Sequence, residues 1–268
     1  MTRLGLRAQL GLLVKDRPQT GLALSKIALR PTYLIVADRI EREIMEGRLR
    51  PGDRLPTETA LAEDLGVNRS TMREGLRLME QAGLVERRSG RRLYVAVPGA
   101  ARLGAPVCRA LLLSSVTFEE LYQLMLALEP RAALLAAERI DAAALGALDD
   151  NLARTEAAAA RGDAVTAHDV EFHGLVAQAM GNPAWIVARE PAASLLYPAS
   201  DPMMRRLPQA TGRLIDAHRA IIAALRAGNG KSAETWMRRH IEDFKRGYAM
   251  AGFSFDQRVT APHEARAP

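Results

Sequence analysis

The stretch from Leu55 to Val85, LPTETALAEDLGVNRSTMREGLRLMEQAGLV, constrains the fold more than any other part of the chain. Thr57 is placed to cap a short helix whose Leu61 and Leu65 face one side, and Gly66 ends it. Asn68 is placed to cap a second helix, with Met72, Leu76 and Met79 on its apolar stripe and Gly83 at its end. A turn this short forces the two helices to cross at a steep angle, and the polar first turns of the second are left free to enter a DNA groove. Arg69, Ser70, Thr71 and Arg73 occupy those turns. Arg69 and Arg73, at i and i+4, project from one face. Their guanidinium groups suit either paired contacts to guanine or a clamp on phosphate.

The flanks agree with this reading. Before it, Ala37, Ile40 and Ile44 recur at helical spacing, and Pro51-Gly52-Asp53 marks a turn. After it, two strand-like runs, Leu84–Arg87 and Leu93–Val97, enclose Arg88-Ser89-Gly90-Arg91-Arg92, a hairpin with a basic tip. Helix, helix, turn, helix and hairpin make a winged helix-turn-helix. Charge is distributed to match. Residues 1–100 carry 18 Lys and Arg against 12 Asp and Glu, whereas residues 101–268 carry 19 of each. A local cationic excess is the footprint of phosphate binding. Any one of these arginines could belong to a merely solvated helix face, but such a face would not bring with it the element order and the basic hairpin.

Beyond the hairpin the text is alanine- and leucine-rich, with aromatics at 4% of the chain, and it reads as successive helices: 118–140, 141–161, 164–180, 183–200, 211–227 and 232–250. The expected fold is mainly α, a winged helix-turn-helix followed by an antiparallel all-helical bundle. The expected divisions are a flexible extension at 1–29, the DNA-binding domain at 30–98, a linker at 99–116, the bundle at 117–250 and a disordered tail at 251–268. Cys108 is the only cysteine, no apolar run approaches a membrane span, and the start lacks the form of a signal peptide. The expected compartment is the cytoplasm.

Within the bundle, Asp169 and His173 are spaced i, i+4 on one helix face, and His218 and His240 lie on two later helices. Turned inward together, they would make an Asp/His3 site for zinc, nickel or manganese, with positions left for water or a ligand carboxylate. Each histidine alone could equally be a hydrogen-bonded packing residue, which is how His168 and His263 are read. A metal-dependent enzyme fused to a DNA-binding head is the alternative. It would need a base beside the metal, and Glu171, two residues from Asp169 and from His173, should point away. A nucleoid-type DNA binder without an effector is a third reading, and it gives the large helical half no purpose.

The segment 33–97 resembles the winged helix of the GntR superfamily at Leu55, Pro56, Thr57, Glu58, Leu61, Ala62, Gly66, Val67, Arg69, Arg73, Glu74, Leu76, Gly83, Leu84 and Val85. Thr59 stands where members often carry Arg, and Arg92 replaces the second wing glycine. Residues 117–250 resemble the FCD ligand-binding domain of the fatty-acid-regulator-like branch. The shared motifs are Leu128-Glu-Pro-Arg, Asp169-Val-Glu-Phe-His173, Gly181-Asn-Pro183, Ala217-His-Arg-Ala-Ile221 and Met237-Arg-Arg-His-Ile241.

The resemblance implies a transcription regulator, a repressor, dimeric on a palindromic operator in double-stranded DNA. It implies DNA contacts at Thr59, Asn68, Arg69, Ser70, Thr71, Arg73, Ser89, Gly90, Arg91 and Arg92. It also implies a metal on Asp169, His173, His218 and His240, completed by a small carboxylic acid effector. The arginine that many members carry one turn before the Glu-Pro is absent, so Tyr122, Gln123 and Arg131, or an arginine of the 205–213 stretch, are the expected effector contacts.

Overall fold

The computed structural model describes residues 30–88 and 92–260. The expectations for 1–29, for the wing tip Ser89, Gly90 and Arg91, and for 261–268 lie outside the described residues. In the head, α1 (Thr32–Met45), α2 (Glu58–Asp64) and α3 (Arg69–Ala82) are followed by β1 (Val85–Arg88) and β2 (Arg92–Val95). The caps fall where the sequence puts them. Thr57 Oγ1 accepts from the Ala60 N–H at 3.2 Å, and Asn68 Oδ1 accepts from the Thr71 N–H at 2.8 Å. Gly83 closes α3 in the left-handed region at φ 79°.

Gly75 lets α3 lie directly on α1. A Cβ there would fall 2.7 Å from Val36 Cγ1 and 3.1 Å from the Tyr33 carbonyl oxygen. β1 and β2 pair antiparallel, Val85 opposite Val95, and Arg54 bridges to Tyr94 at the edge. Val36, Ile40, Leu55, Met72, Leu76, Met79, Val85, Leu93 and Val95 form the head's own core.

The second core is helical, built from α5 (Phe118–Ala136), α6 (Ala142–Ala160), α7 (Thr166–Ala179), α8 (Pro183–Leu196), α9 (Ser200–Arg206), α10 (Gln209–Arg226) and α11 (Gly230–Met250). α5 and α11 pack along each other, α10 packs on α11 and α6, and α7 is held between α5, α6 and α8. A capping box starts α5, with Thr117 and Glu120 each bonding the other's backbone.

Two expectations are corrected. The stretch expected as a linker, 99–116, carries a helix that was not expected: Ala100–Leu113 form α4, packed along α8. Gly104 lies against Pro191 and Glu190, and Cys108 Sγ contacts the Pro191 carbonyl oxygen at 3.5 Å. α4 carries Pro106 inside it, and its only charged residues, Arg102 and Arg109, lie seven apart on one face, so the polar stripe is thin. The second correction concerns residues 251–260, which do not form a disordered tail. Phe255 and Val259 are buried in the main core, and the carbonyl oxygens of Gln257 and Phe255 accept from Phe118 N–H (3.1 Å) and Glu119 N–H (2.8 Å). The returning segment thus satisfies donors that the start of α5 would otherwise leave unpaired.

Candidate DNA interface and metal centre

On the head, Arg69, Ser70 and Arg73 are exposed at the start of α3, with Thr71 half-buried behind them. Arg69 Nε donates to Thr59 Oγ1 at 2.9 Å, so the threonine of α2 orients the arginine of α3. Arg73 pairs with Glu58 at 3.2 Å, and Glu58 also accepts from Arg87 of β1. Burial works against charge on Glu58, but Arg87 and Arg73 hold its carboxyl below the usual range. Asn68 spends its side-chain oxygen on its own helix, on Thr71 N–H and on the Ser70 hydroxyl at 2.6 Å. Arg54, Arg73, Arg87 and Arg92 border one cleft of about 820 Å³ between the helices and the hairpin. Four guanidinium groups and one glutamate line it, a surface shaped and charged for a phosphate backbone.

In the bundle, three helices bring Asp169 and His173 (α7), His218 (α10) and His240 (α11) together, all buried, with one donor atom from each within 4.8 Å of all the others. His218 Nε2 lies 3.1 Å, His240 Nε2 3.4 Å and His173 Nε2 3.7 Å from Asp169 Oδ1. The Nε2 atoms of His173 and His240 are 3.2 Å apart. Donors bound at about 2.0–2.1 Å to one zinc-sized ion stand roughly 3.3 Å from each other when tetrahedral, so the four residues fit a divalent cation.

Burial opposes charge on Asp169, yet hydrogen bonds from His218 and His240 hold its carboxyl well below the usual range. Burial pushes His218 down to about 4, against the pull of Asp169. A neutral imidazole is the form that ligates. The His218 ring is stacked on Phe172 at 3.6 Å, which fixes its plane.

A second layer was not legible from spacing. Glu129 of α5, with no exposed surface, accepts from His173 Nδ1 at 3.1 Å and from Arg189 Nε of α8 at 2.7 Å. The carboxylate thereby fixes the His173 tautomer with Nε2 free toward the cluster. Tyr197 stacks on His173 at 4.5 Å. The Glu-Pro dipeptide was the one signal that could have flagged Glu129; Arg189 carried none. Glu171 does turn away, into a paired contact with Arg154 on α6 at 2.8 and 2.9 Å. Glu129 is beside the cluster, but both its oxygens are already engaged.

The expected effector contacts on α5 do not converge on this centre. Gln123 and Arg131 are exposed, because at about 100° per residue they point well away from Glu129. Tyr122 shares the Glu129 face two turns earlier, where it packs on Phe255 with Lys245 Nζ 4.5 Å above its ring. A cavity of about 30 Å³ does adjoin the centre, touching Asp169, His173, Tyr197, His240 and Asp243.

Two family profiles match the chain: "Bacterial regulatory proteins, gntR family" over residues 32–95 and "FCD domain" over residues 120–243. The HTH-type transcriptional regulator LutR of Bacillus subtilis is 32% identical over 212 residues, which span 76% of this chain and 97% of LutR. The mannosyl-D-glycerate transport/metabolism system repressor MngR of Escherichia coli is 44% identical over 66 residues, 25% of this chain and 28% of its own. The solved structure of a Streptococcus agalactiae GntR protein matches with TM-score 0.60 at 32% identity, over 80% of this chain and 99% of that one. The chain belongs to the GntR family of DNA-binding transcription regulators, with an FCD effector-binding domain behind its winged helix.

Proposed function

We propose that this regulator acts as a homodimer on a palindromic operator, as a repressor, and senses a small carboxylic acid at a divalent metal held by Asp169, His173, His218 and His240. The observation that carries the sensing half is the convergence of four buried donor atoms from three helices. A divalent ion there, zinc, nickel or manganese, supplies fixed positive charge in a buried setting and so draws an anionic ligand.

The chain's own residues do the rest. Glu129 holds His173, Phe172 holds the plane of His218, and the three helices are tied at one point. On the head, Arg69, Ser70, Thr71 and Arg73 read the major groove, while Arg92 and the wing tip Ser89, Gly90 and Arg91 contact the backbone or minor groove. Thr59 orients Arg69, and Asn68 presents the helix start. One recognition helix reads few base pairs, which favours two half-sites related by a two-fold axis. The regulator works in the cytoplasm, beside its DNA; among the described residues no helix is long and apolar enough to cross a membrane.

The test is elemental analysis of the wild type, His173→Ala and His218→Ala, with operator footprinting on each. The expected result is stoichiometric metal in the wild type and none in either variant, with footprints over two half-sites in all three. A wild type that purifies metal-free and refuses zinc, nickel and manganese sinks the sensing half.

A further inference from the structure

The cavity beside the Asp/His3 cluster, about 30 Å³, is room for a water and little more. An organic acid cannot lie wholly within it. Immediately outside, along the seam between α10 and α11, an open groove of about 490 Å³ is lined by Arg213, Arg239 and Arg246, by Trp236 and by the carboxylates Asp216 and Glu242. His240 and Asp243 line both spaces, so they stand at the boundary between them.

Across that boundary runs an ion pair. Arg213 Nε donates to Asp243 Oδ2 at 2.8 Å, and both side chains are part-exposed, 40% and 30%. Asp243 is also held by Arg246, whose Nη2 reaches Oδ1 at 3.1 Å. Asp243 therefore keeps a cationic partner if Arg213 leaves it. The other arginine on the boundary side, Arg239, rests on the Trp236 ring at 5.2 Å. Arg213 is the guanidinium that can change partners at least cost.

We propose that Arg213 is the second anchor of the effector, exchanging the Asp243 carboxylate for a carboxylate of the ligand, and that the ligand class is therefore small dicarboxylic acids. One end of such a molecule reaches the small cavity, its body lies in the groove, and its far carboxylate pairs with Arg213. A part-exposed ion pair is weakly held in water, and a ligand fixed at one end presents its other end at high effective concentration. Asp243 acts as an internal competitor. This rests on the metal-and-carboxylate reading above.

The test titrates zinc-loaded full-length protein with acetate and with malonate, succinate and glutarate, and compares wild type with Arg213→Gln, Arg213→Lys and Asp243→Asn. In the wild type at least one diacid should bind about tenfold tighter than acetate. Arg213→Gln should bring that ratio close to one with zinc content unchanged, and Arg213→Lys should restore part of it. Asp243→Asn should tighten the diacid several-fold, because the competitor is gone. A merely structural ion pair would make both Arg213→Gln and Asp243→Asn weaken binding, and that result overturns the proposal. So does a wild type that binds zinc but prefers no diacid, which leaves the metal reading standing. A wild type that takes up no zinc removes the metal reading and this one together.

Discussion

Arg69 and Arg73 leave α3 on one side, yet neither is loose before DNA arrives. Arg69 is held by Thr59, and Arg73 by a glutamate that Arg87 also grips. Arginine loses much rotamer freedom when it docks, so a side chain already pointed by a neighbour loses less at the moment of binding. Thr59 thus serves Arg69 as an orienting partner. Arg69→Ala and Arg73→Ala should each cost about 1–3 kcal/mol of operator affinity and relax preference at one base pair. Anisotropy titrations against the operator and its single-base variants check this. Wild-type affinity and specificity in both variants would remove α3 from the role of reader. The candidate metal centre contrasts with this exposed pair: its donors are buried, and the hydrogen bonds they make to one another and to Glu129 offset part of the cost of burying them.

At the scale of elements, the sequence was legible where one period dominates and silent where contacts are long-range. α2, α3 and their caps follow from Thr57, Asn68 and Gly83, each a local signal. The Asp169–His173 pair is local too, one helical turn apart. Glu129 and Arg189 lie 60 residues apart in sequence and meet only because α5 and α8 pack together. α4 is hard to read from sequence because Pro106 argues against a helix there and its polar face consists of Arg102 and Arg109 alone. The ordered 251–260 segment was missed although Phe253, Phe255 and Val259 were there to suggest burial.

One glycine sits where α11, which carries His240, meets α5. A Cβ on Gly230, at the start of α11, would fall 2.8 Å from the Leu134 carbonyl oxygen of α5. That oxygen is backbone and cannot rotate away. Replacing Gly by Ala inside a helix gains about 1 kcal/mol of propensity at most. Overpacking against a fixed neighbour costs about 1–3 kcal/mol, so the clash wins. Gly230→Ala should therefore lower the melting temperature and weaken zinc binding, because α11 carries His240. Thermal melts and zinc titrations read both, and unchanged values would show that the seat of α11 does not depend on this contact.

The whole molecule poses the question of how a ligand among α7, α10 and α11 could reach the DNA-reading face. The structure offers one continuous run of packed elements. His173 is bonded to Glu129, and Glu129 to Arg189 of α8. α8 is covered along its length by α4. At the other end of α4, Arg102 Nη1 donates to the Glu80 carbonyl oxygen near the end of α3 at 2.7 Å. The Arg102 side chain also lies over Gly83, where a Cβ would come within 2.7 Å of its Cδ. α4 is thus a strut whose one end touches the reading helix and whose body rests on the helix bonded to the metal centre. Coupling of this kind amounts typically to about 1–3 kcal/mol, or a 5–150-fold change in affinity. The expectation is that zinc shifts wild-type operator affinity within that range and that Arg102→Ala shrinks the shift toward none. Zinc content and metal-free operator affinity should stay as in the wild type, since Arg102 touches neither the metal centre nor the exposed turns of α3. Arg109→Ala, an exposed change on the same helix, should leave the shift intact and serves as the control. If Arg102→Ala keeps the full zinc-dependent shift, α4 is only a spacer, and the two domains communicate through another contact, the dimer interface being the first to test.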